Sequence, residues 1–250
     1  MNRDTLVRWL DEFLDASACP DYGPNGLQVE GRPEIRHIVC GVTASLQLIE
    51  IAVALNADAI LVHHGILWGG GPPTITGAFG RRVRTLVRAD LNLLAYHLPL
   101  DRHLEVGNAA SLASRLGLTD LQPFGLHKGT TIGISGVPTE PDIDSLLARV
   151  EAVAGRSPTA FPYGPRAIRR VGIITGGADR DVSQAVTAGF DAYLTGEVSE
   201  PSLHTAREEG IHYIAAGHHA TERYGVQALC ARLADVHGLT WEYVEVDNPA

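Results

Sequence analysis

Cysteine is scarce in this chain and falls in no pattern. Cys19, Cys40 and Cys230 stand far apart with no CxxC spacing, which argues against a disulfide framework and against a thiolate zinc site. Long apolar runs are missing too. Nothing approaches the roughly 20 residues that a membrane-spanning helix needs, so no membrane partner is expected. The opening segment Met-Asn-Arg-Asp-Thr-Leu-Val-Arg-Trp-Leu-Asp-Glu carries charges throughout and offers no apolar stretch of a signal peptide. A reducing, cytoplasmic setting is the expectation that fits these features. Positive charge is also short: 20 bases stand against 29 acids, for a net charge of −9. Phosphate-backbone binders depend on clustered cations that release counterions, so nucleic acid is not the expected partner. The main basic cluster is Arg81, Arg82, Arg84 and Arg88. It reads as a solvated helix face, with a dock for an anionic substrate or partner chain as the alternative.

What is present is an ordinary globular composition. The 250 residues are 45% hydrophobic and 20% charged, enough to bury a substantial core and consistent with one or two domains. The unusual count is histidine, at 11, with several placed beside one another or beside acids.

Short β-branched runs alternate with amphipathic stretches. A helix is predicted from near Arg3, with Leu6, Leu10, Phe13 and Leu14 on one face. Strands are predicted at 36–42, 58–62 and 91–96, and helices at 45–56, 77–89 and 108–116. A Gly/Pro-rich loop runs from Gly65 through Pro73. After a break around 119–129, strands are predicted at 130–135, 168–174, 190–194, 211–215 and 240–245. The matching helices are 141–154, 181–188, 200–209 and 219–236, with 155–166 as a Pro/Gly-rich connection. Such alternation implies right-handed crossovers and mostly parallel sheets flanked by helices, and the continuously apolar strands suit sheets covered on both faces. Two α/β units fit the length, with a boundary near 121–128. Both halves follow a strand–helix–strand logic that ends in a His-bearing segment.

Three segments carry chemistry. Leu61-Val62-His63-His64-Gly65 sits where a buried strand meets a Gly-rich loop, at the carboxyl end where open α/β folds gather ligands. Neighbouring strand residues point to opposite faces, so both imidazoles share a site only if the backbone turns, which Gly65 permits. An isolated pair can equally be one structural and one solvated residue. Tyr96-His97-Leu98-Pro99-Leu100-Asp101-Arg102-His103 puts an imidazole and a carboxylate at another strand end, although Asp101 could instead pair with Arg102 or cap a turn. Gly217-His218-His219-Ala220-Thr221-Glu222 opens a long helix whose buried stripe is Val226, Leu229, Cys230 and Leu233. Residues four apart share a helix face, so His218 and Glu222 can address one ion, or simply form a helical pair; His219 is rotated off that face. Softer signals are Thr175-Gly176-Gly177-Ala178, a phosphate cradle or a tight βα connection, Thr195-Gly196-Glu197 at another strand end, and Asn25-Gly26-Leu27-Gln28, which reads as a simple turn.

The chain resembles the NIF-three-like family, the type 2 GTP cyclohydrolase I homologues with a dinuclear metal centre. The resemblance rests on Asn-Gly-Leu-Gln-Val-Glu-Gly at 25–31, His-His-Gly-Ile-Leu-Trp-Gly at 63–69, His-Leu-Pro-Leu-Asp at 97–101 and Val-Gly-Asn at 106–108. Thr-Gly-Glu at 195–197 and Gly-His-His-Ala-Thr-Glu-Arg-Tyr-Gly at 217–225 complete it. It implies two intertwined α/β domains, 1–124 with 225–250 and 125–224, with the metal site in the cleft between them and no extra middle domain. It further implies a toroidal homohexamer. The metal ligands it implies are His63, His64, Asp101, His218 and Glu222, and His219 stands where family members often have an aromatic residue.

Three imidazoles and two carboxylates without a thiolate suit two divalent ions, with zinc, iron, manganese, cobalt and nickel all compatible. A water between two such ions can supply hydroxide near neutral pH. The functional expectation is therefore a metal-dependent hydrolase acting on a small molecule; the family resemblance implies GTP, with opening of its purine imidazole ring, and a metal pair also suits a phosphoester. His97 and Glu197 are the candidates for proton transfer. The competing expectation is a non-enzymatic metal-binding scaffold, metal-delivery protein or regulatory protein.

Overall fold

The computed structural model describes residues 1–71 and 74–250; Pro72 and Pro73 of the expected Gly/Pro-rich loop lie outside the described residues. The chain divides into two compact units, Met1–Leu100 with Gly225–Asp247, and Asp101–Tyr224 with Asn248–Ala250. Both are α/β units in which helices flank a sheet.

The first unit opens with α1 (Arg3–Phe13), started by Asn2, whose side chain accepts from the N–H groups of Asp4 and Thr5. Leu6 and Leu10 are its buried face. Then come β1 (Gly26–Val29), β2 (His37–Thr43), α2 (Leu46–Ala54), β3 (Ala59–His64), α3 (Gly77–Arg88) and β4 (Asn92–Ala95). After the chain returns from the second unit, β11 (Thr240–Tyr243) closes the sheet, in the order β1-β4-β3-β2-β11. The four strands β4, β3, β2 and β11 run parallel, and β1 is antiparallel on the edge. The core packs Val39, Ile60, Val62 and Leu93 against Leu48, Ile49 and Leu86 of the helices. Arg81, Arg84 and Arg88 lie exposed on α3, as a solvated face requires.

The second unit contains α5 (Asn108–Arg115), β5 (Thr119–His127), β6 (Thr130–Val137), α6 (Ile143–Ala154), β7 (Thr159–Pro162), β8 (Val171–Ile173), α7 (Val182–Thr187), β9 (Ala192–Thr195), α8 (Ser202–Glu209) and β10 (His212–Ala215). A short helix α4 (Leu98–Asp101) precedes it, and α9 (His218–His237) follows it. Its sheet is mixed, in the order β5-β6-β8-β9-β10-β7. Parallel pairing is confined to β8, β9 and β10; β5, β6 and β7 join antiparallel.

Three segments differ from the sequence expectation. The break expected around 119–129 is β5, half of a hairpin. Pro123 is tolerated because β5 is an edge strand, which can spare an N–H donor. The 155–166 connection holds the edge strand β7, and Gly26, Leu27 and Gln28 of the expected turn belong to β1. All three are edge strands, which lack the two-sided burial that makes central strands conspicuous.

One carboxylate anchors each set of parallel strands. Asp58, just before β3, accepts from the backbone N–H groups of Arg36 and His37 at 2.8 and 3.0 Å and from Arg32 Nη1 at 3.0 Å. Asp191, just before β9, accepts from Arg169 through its backbone N at 2.7 Å, Nε at 3.1 Å and Nη2 at 2.9 Å. Burial opposes ionisation of Asp191, but the Arg169 contacts prevail and hold its carboxyl below the usual range. A depressed folded-state pKa adds stability above the unfolded value of about 4, and that stability is lost as pH falls through the folded value. Asp191→Asn should therefore lower stability at pH 7 by about 1–3 kcal/mol. The gap between variant and wild type should close below about pH 4 in urea melts run across pH.

Candidate metal-binding clusters

In the first unit, β3 ends on the histidine pair. His63 is fully buried, and its Nδ1 lies 3.0 Å from the carbonyl oxygen of Tyr96. A carbonyl can only accept, so Nδ1 carries the proton and the lone pair is on Nε2. His64 is half-buried, with Nδ1 3.1 Å from the Thr43 hydroxyl. The two rings lie 4.7 Å apart between centroids although the residues are sequence neighbours. Gly65 follows for a steric reason: a Cβ there would lie 2.2 Å from Gln28 Oε1. That oxygen accepts the N–H groups of Ile66 and Leu67 at 2.8 and 3.2 Å and so fixes the loop. His97 joins the pair from the end of β4. One ligand atom each of His63, His64 and His97 lies within 4.8 Å of the others.

His97 Nδ1 meets Asp21 Oδ1 at 2.7 Å. The Asp21 side chain is only 3% exposed. Burial alone would raise its pKa, but the hydrogen bond and charge of His97, with Asn25 and the Tyr22 N–H, hold the carboxyl far below the usual range. Asn25 also accepts the His97 backbone N–H at 2.7 Å. Asp21, Asn25 and Gln28 were not among the sequence candidates. Asp21 had no visible signal, whereas the Asn-Gly-Leu-Gln string was conspicuous but open to a bland reading.

In the second unit, Asp101 closes α4 and is buried. Its Oδ1 accepts from Asn108 Nδ2 at 2.8 Å and faces the Thr175 hydroxyl at 3.4 Å. His218 and Glu222 lie one turn apart on α9, with His218 Nε2 3.0 Å from Glu222 Oε2. On its other side, His218 Nδ1 meets Glu197 Oε1 at 2.5 Å. Glu222 is buried and Glu197 is half exposed. The turn after β8 does not stand apart as a phosphate cradle. Gly176 has φ +68°, and a Cβ on it would come within 2.1 Å of Glu222 Oε1 and 3.2 Å of His218 Nε2. Glycine is there to make room for the carboxylate and imidazole. His219 is buried, and its N–H bonds the Ala250 carbonyl oxygen at 3.3 Å. His103 accepts the N–H groups of Glu105 and Val106 in a turn.

The expected ligands thus divide, with His63 and His64 in the first unit and Asp101, His218 and Glu222 in the second. Each unit brings its own share together. These are nitrogen and carboxylate donors, several buried and braced on their far side by another group, which is the outer-shell arrangement of metal ligands. The donor set fits divalent transition ions.

A mixed α/β protein with braced imidazole–carboxylate clusters at its strand ends is the class that fold and site define. Residues 1–249 match the model of the Duf34/NIF3 family (NGG1p interacting factor 3), and the chain belongs to that family. It is 49% identical to a GTP cyclohydrolase 1 type 2 homolog of Pasteurella multocida, covering 100% of both chains. It is 42% identical to the protein of the same name from Escherichia coli K12, again covering 100% of both. Among solved structures, it is similar to a structural-genomics protein, ybgI, of unknown function (TM-score 0.93, 43% identity, 100% of both chains covered). A crystal structure from Thermus thermophilus is also similar (TM-score 0.92, 35% identity, 100% of both covered). Among the described residues, no helix is long and apolar enough to cross a membrane.

Two outcomes follow from this geometry. Burial works against the His218 imidazolium, but Glu222 and Glu197 prevail and raise its pKa to about 9. In metal-free protein the His218 ring should titrate with an NMR midpoint near 9; a midpoint below about 7, near the ordinary histidine value, would contradict the geometry. Gly176→Ala should lower stability by about 1–3 kcal/mol through positive-φ strain and displace Glu222, read by thermal melts and a crystal structure of the variant.

Proposed function

We propose that the chain is a divalent-metal-dependent hydrolase of a small, nucleotide-like substrate, with His63, His64, Asp101, His218 and Glu222 as ligands of a two-ion centre. The observation that carries this is the bracing of the ligands: His63 by the Tyr96 carbonyl, His218 by Glu197 and Asp101 by Asn108. Such outer contacts fix tautomer and orientation in metal sites. The shared name of the relatives, GTP cyclohydrolase 1 type 2 homolog, supports a purine nucleotide as substrate and opening of its imidazole ring as the reaction.

When bound, the ions would supply Lewis acidity and an acidified water near neutral pH. The chain's own residues do the rest. Tyr96 and Thr43 hold His63 and His64 by Nδ1. Asn108 holds Asp101 so that one carboxylate oxygen is committed and the group keeps its orientation. Glu197, half exposed and on His218 Nδ1, is the group that accepts a proton and returns it to the leaving atom. His218 is protonated at neutral pH without metal, so occupancy at its Nε2 releases a proton and strengthens as pH rises. A homohexameric ring is part of the same proposal, and light scattering on the purified protein tests it.

The activity test loads purified protein with zinc, iron, manganese, cobalt or nickel in turn and offers GTP, cyclic nucleotides and simple phosphoesters. Metal-dependent turnover of at least one is expected. His63→Ala, if it stays folded at the cost of about 1–3 kcal/mol for the emptied buried site, should lose on the order of 100-fold or more. Folded, metal-bearing protein without turnover on any of them would favour a metal-binding scaffold or delivery role.

A further inference from the structure

We infer that His97 is a third imidazole ligand in the first unit's part of the centre, and that Asp21 is the residue that positions it. This rests on the metal-centre reading above, and it replaces the proton-transfer role that the sequence suggests for His97.

The argument is one of tautomers. His63 Nδ1 faces a carbonyl oxygen at 3.0 Å and His97 Nδ1 faces a carboxylate oxygen at 2.7 Å. Both partners can only accept here, so in the neutral form each ring carries its lone pair on Nε2. His64 Nδ1 lies 3.1 Å from a hydroxyl, which can accept in the same sense. With Thr43 accepting, the three rings present the same nitrogen, from centroids 4.9 Å (His63 to His97) and 5.6 Å (His64 to His97) apart. One ligand atom of each ring lies within 4.8 Å of the other two, a spacing that a single cation can bridge.

Asp21 is built for this task. Its carboxylate accepts from the Tyr22 N–H at 2.6 Å, the Leu98 N–H at 3.0 Å and Asn25 Nδ2 at 2.8 Å, and it turns its remaining capacity on His97. Asn25 grips the His97 backbone, and Trp68 stands edge-on to the ring at 5.2 Å. A histidine needed only for packing would not require its ring to be fixed by a buried carboxylate and an edge-on indole while its backbone is gripped separately.

The test loads wild type, His97→Ala, His97→Gln and Asp21→Asn with cobalt(II). It reads affinity by chelator competition and ligand geometry from the visible d–d absorption, with melts to confirm folding. His97→Gln keeps an N–H toward Asp21 and serves if the alanine variant does not fold. His204→Ala, an exposed imidazole elsewhere, is the control and should match wild type. Loss of His97 should weaken cobalt binding by about tenfold or more and alter the d–d bands, and Asp21→Asn should weaken it by about 10–100-fold. Wild-type binding with unchanged affinity and spectrum in the His97 variants would overturn this inference and leave the five-ligand centre standing. No cobalt binding by wild type would overturn both.

Discussion

A fully buried imidazole is costly unless its ring nitrogens are both accounted for, and His63 is fully buried at the end of a buried strand. The Tyr96 carbonyl that holds its Nδ1 belongs to the residue just past β4. The contact thus exists only if β3 and β4 pair in the observed parallel register, Ala59 opposite Asn92 through Val62 opposite Ala95. A slip by one residue would turn the side chains of β3 to the other face and take His63 away from its acceptor. Packing of Ile60, Val62 and Leu93 in the core therefore sets the tautomer of the residue that follows Val62. The same register brings His97 to the cluster.

The two units solve this problem with the same winding. In the first, β2-α2-β3-α3-β4 runs parallel with an aspartate, Asp58, just before β3; in the second, β8-α7-β9-α8-β10 does so with Asp191 just before β9. The registers correspond, with Ala59 opposite Asn92 and Ala192 opposite His212. Counted from these pairs, His64 corresponds to Glu197 and Leu98 to His218. Only the His64–Glu197 pair is chemical on both sides; His218 answers to a leucine, and His63 and His97 answer to Gly196 and Gly217.

Much of this was legible in the sequence. Central strands announce themselves because two-sided burial demands continuous apolar runs, and the chemical residues sit where those runs stop. The i,i+4 spacing of His218 and Glu222 follows from helical geometry alone, and the structure places both on α9. The edge strands were not legible, since one-sided exposure dilutes their pattern; Pro123 disguised β5 further. Asp21 was the least legible residue. It lies in an irregular stretch and acts on His97, 76 residues away, and no local periodicity records a contact of that span. Gly176 lies in the tight βα connection that the sequence suggests, but the carboxylate that a Cβ there would strike comes from 46 positions further along the chain and leaves no local signal.

The strand β11 lies parallel to β2, and its Thr240 bonds Arg36 across 204 residues of sequence. During synthesis at about 5–20 residues per second, β2 emerges some tens of seconds before the strand that covers its outer edge. Throughout that interval the histidine-bearing sheet has an open, apolar margin of the kind that recruits other chains. The order in which the ribosome delivers the segments thus sets how long that margin stays uncovered.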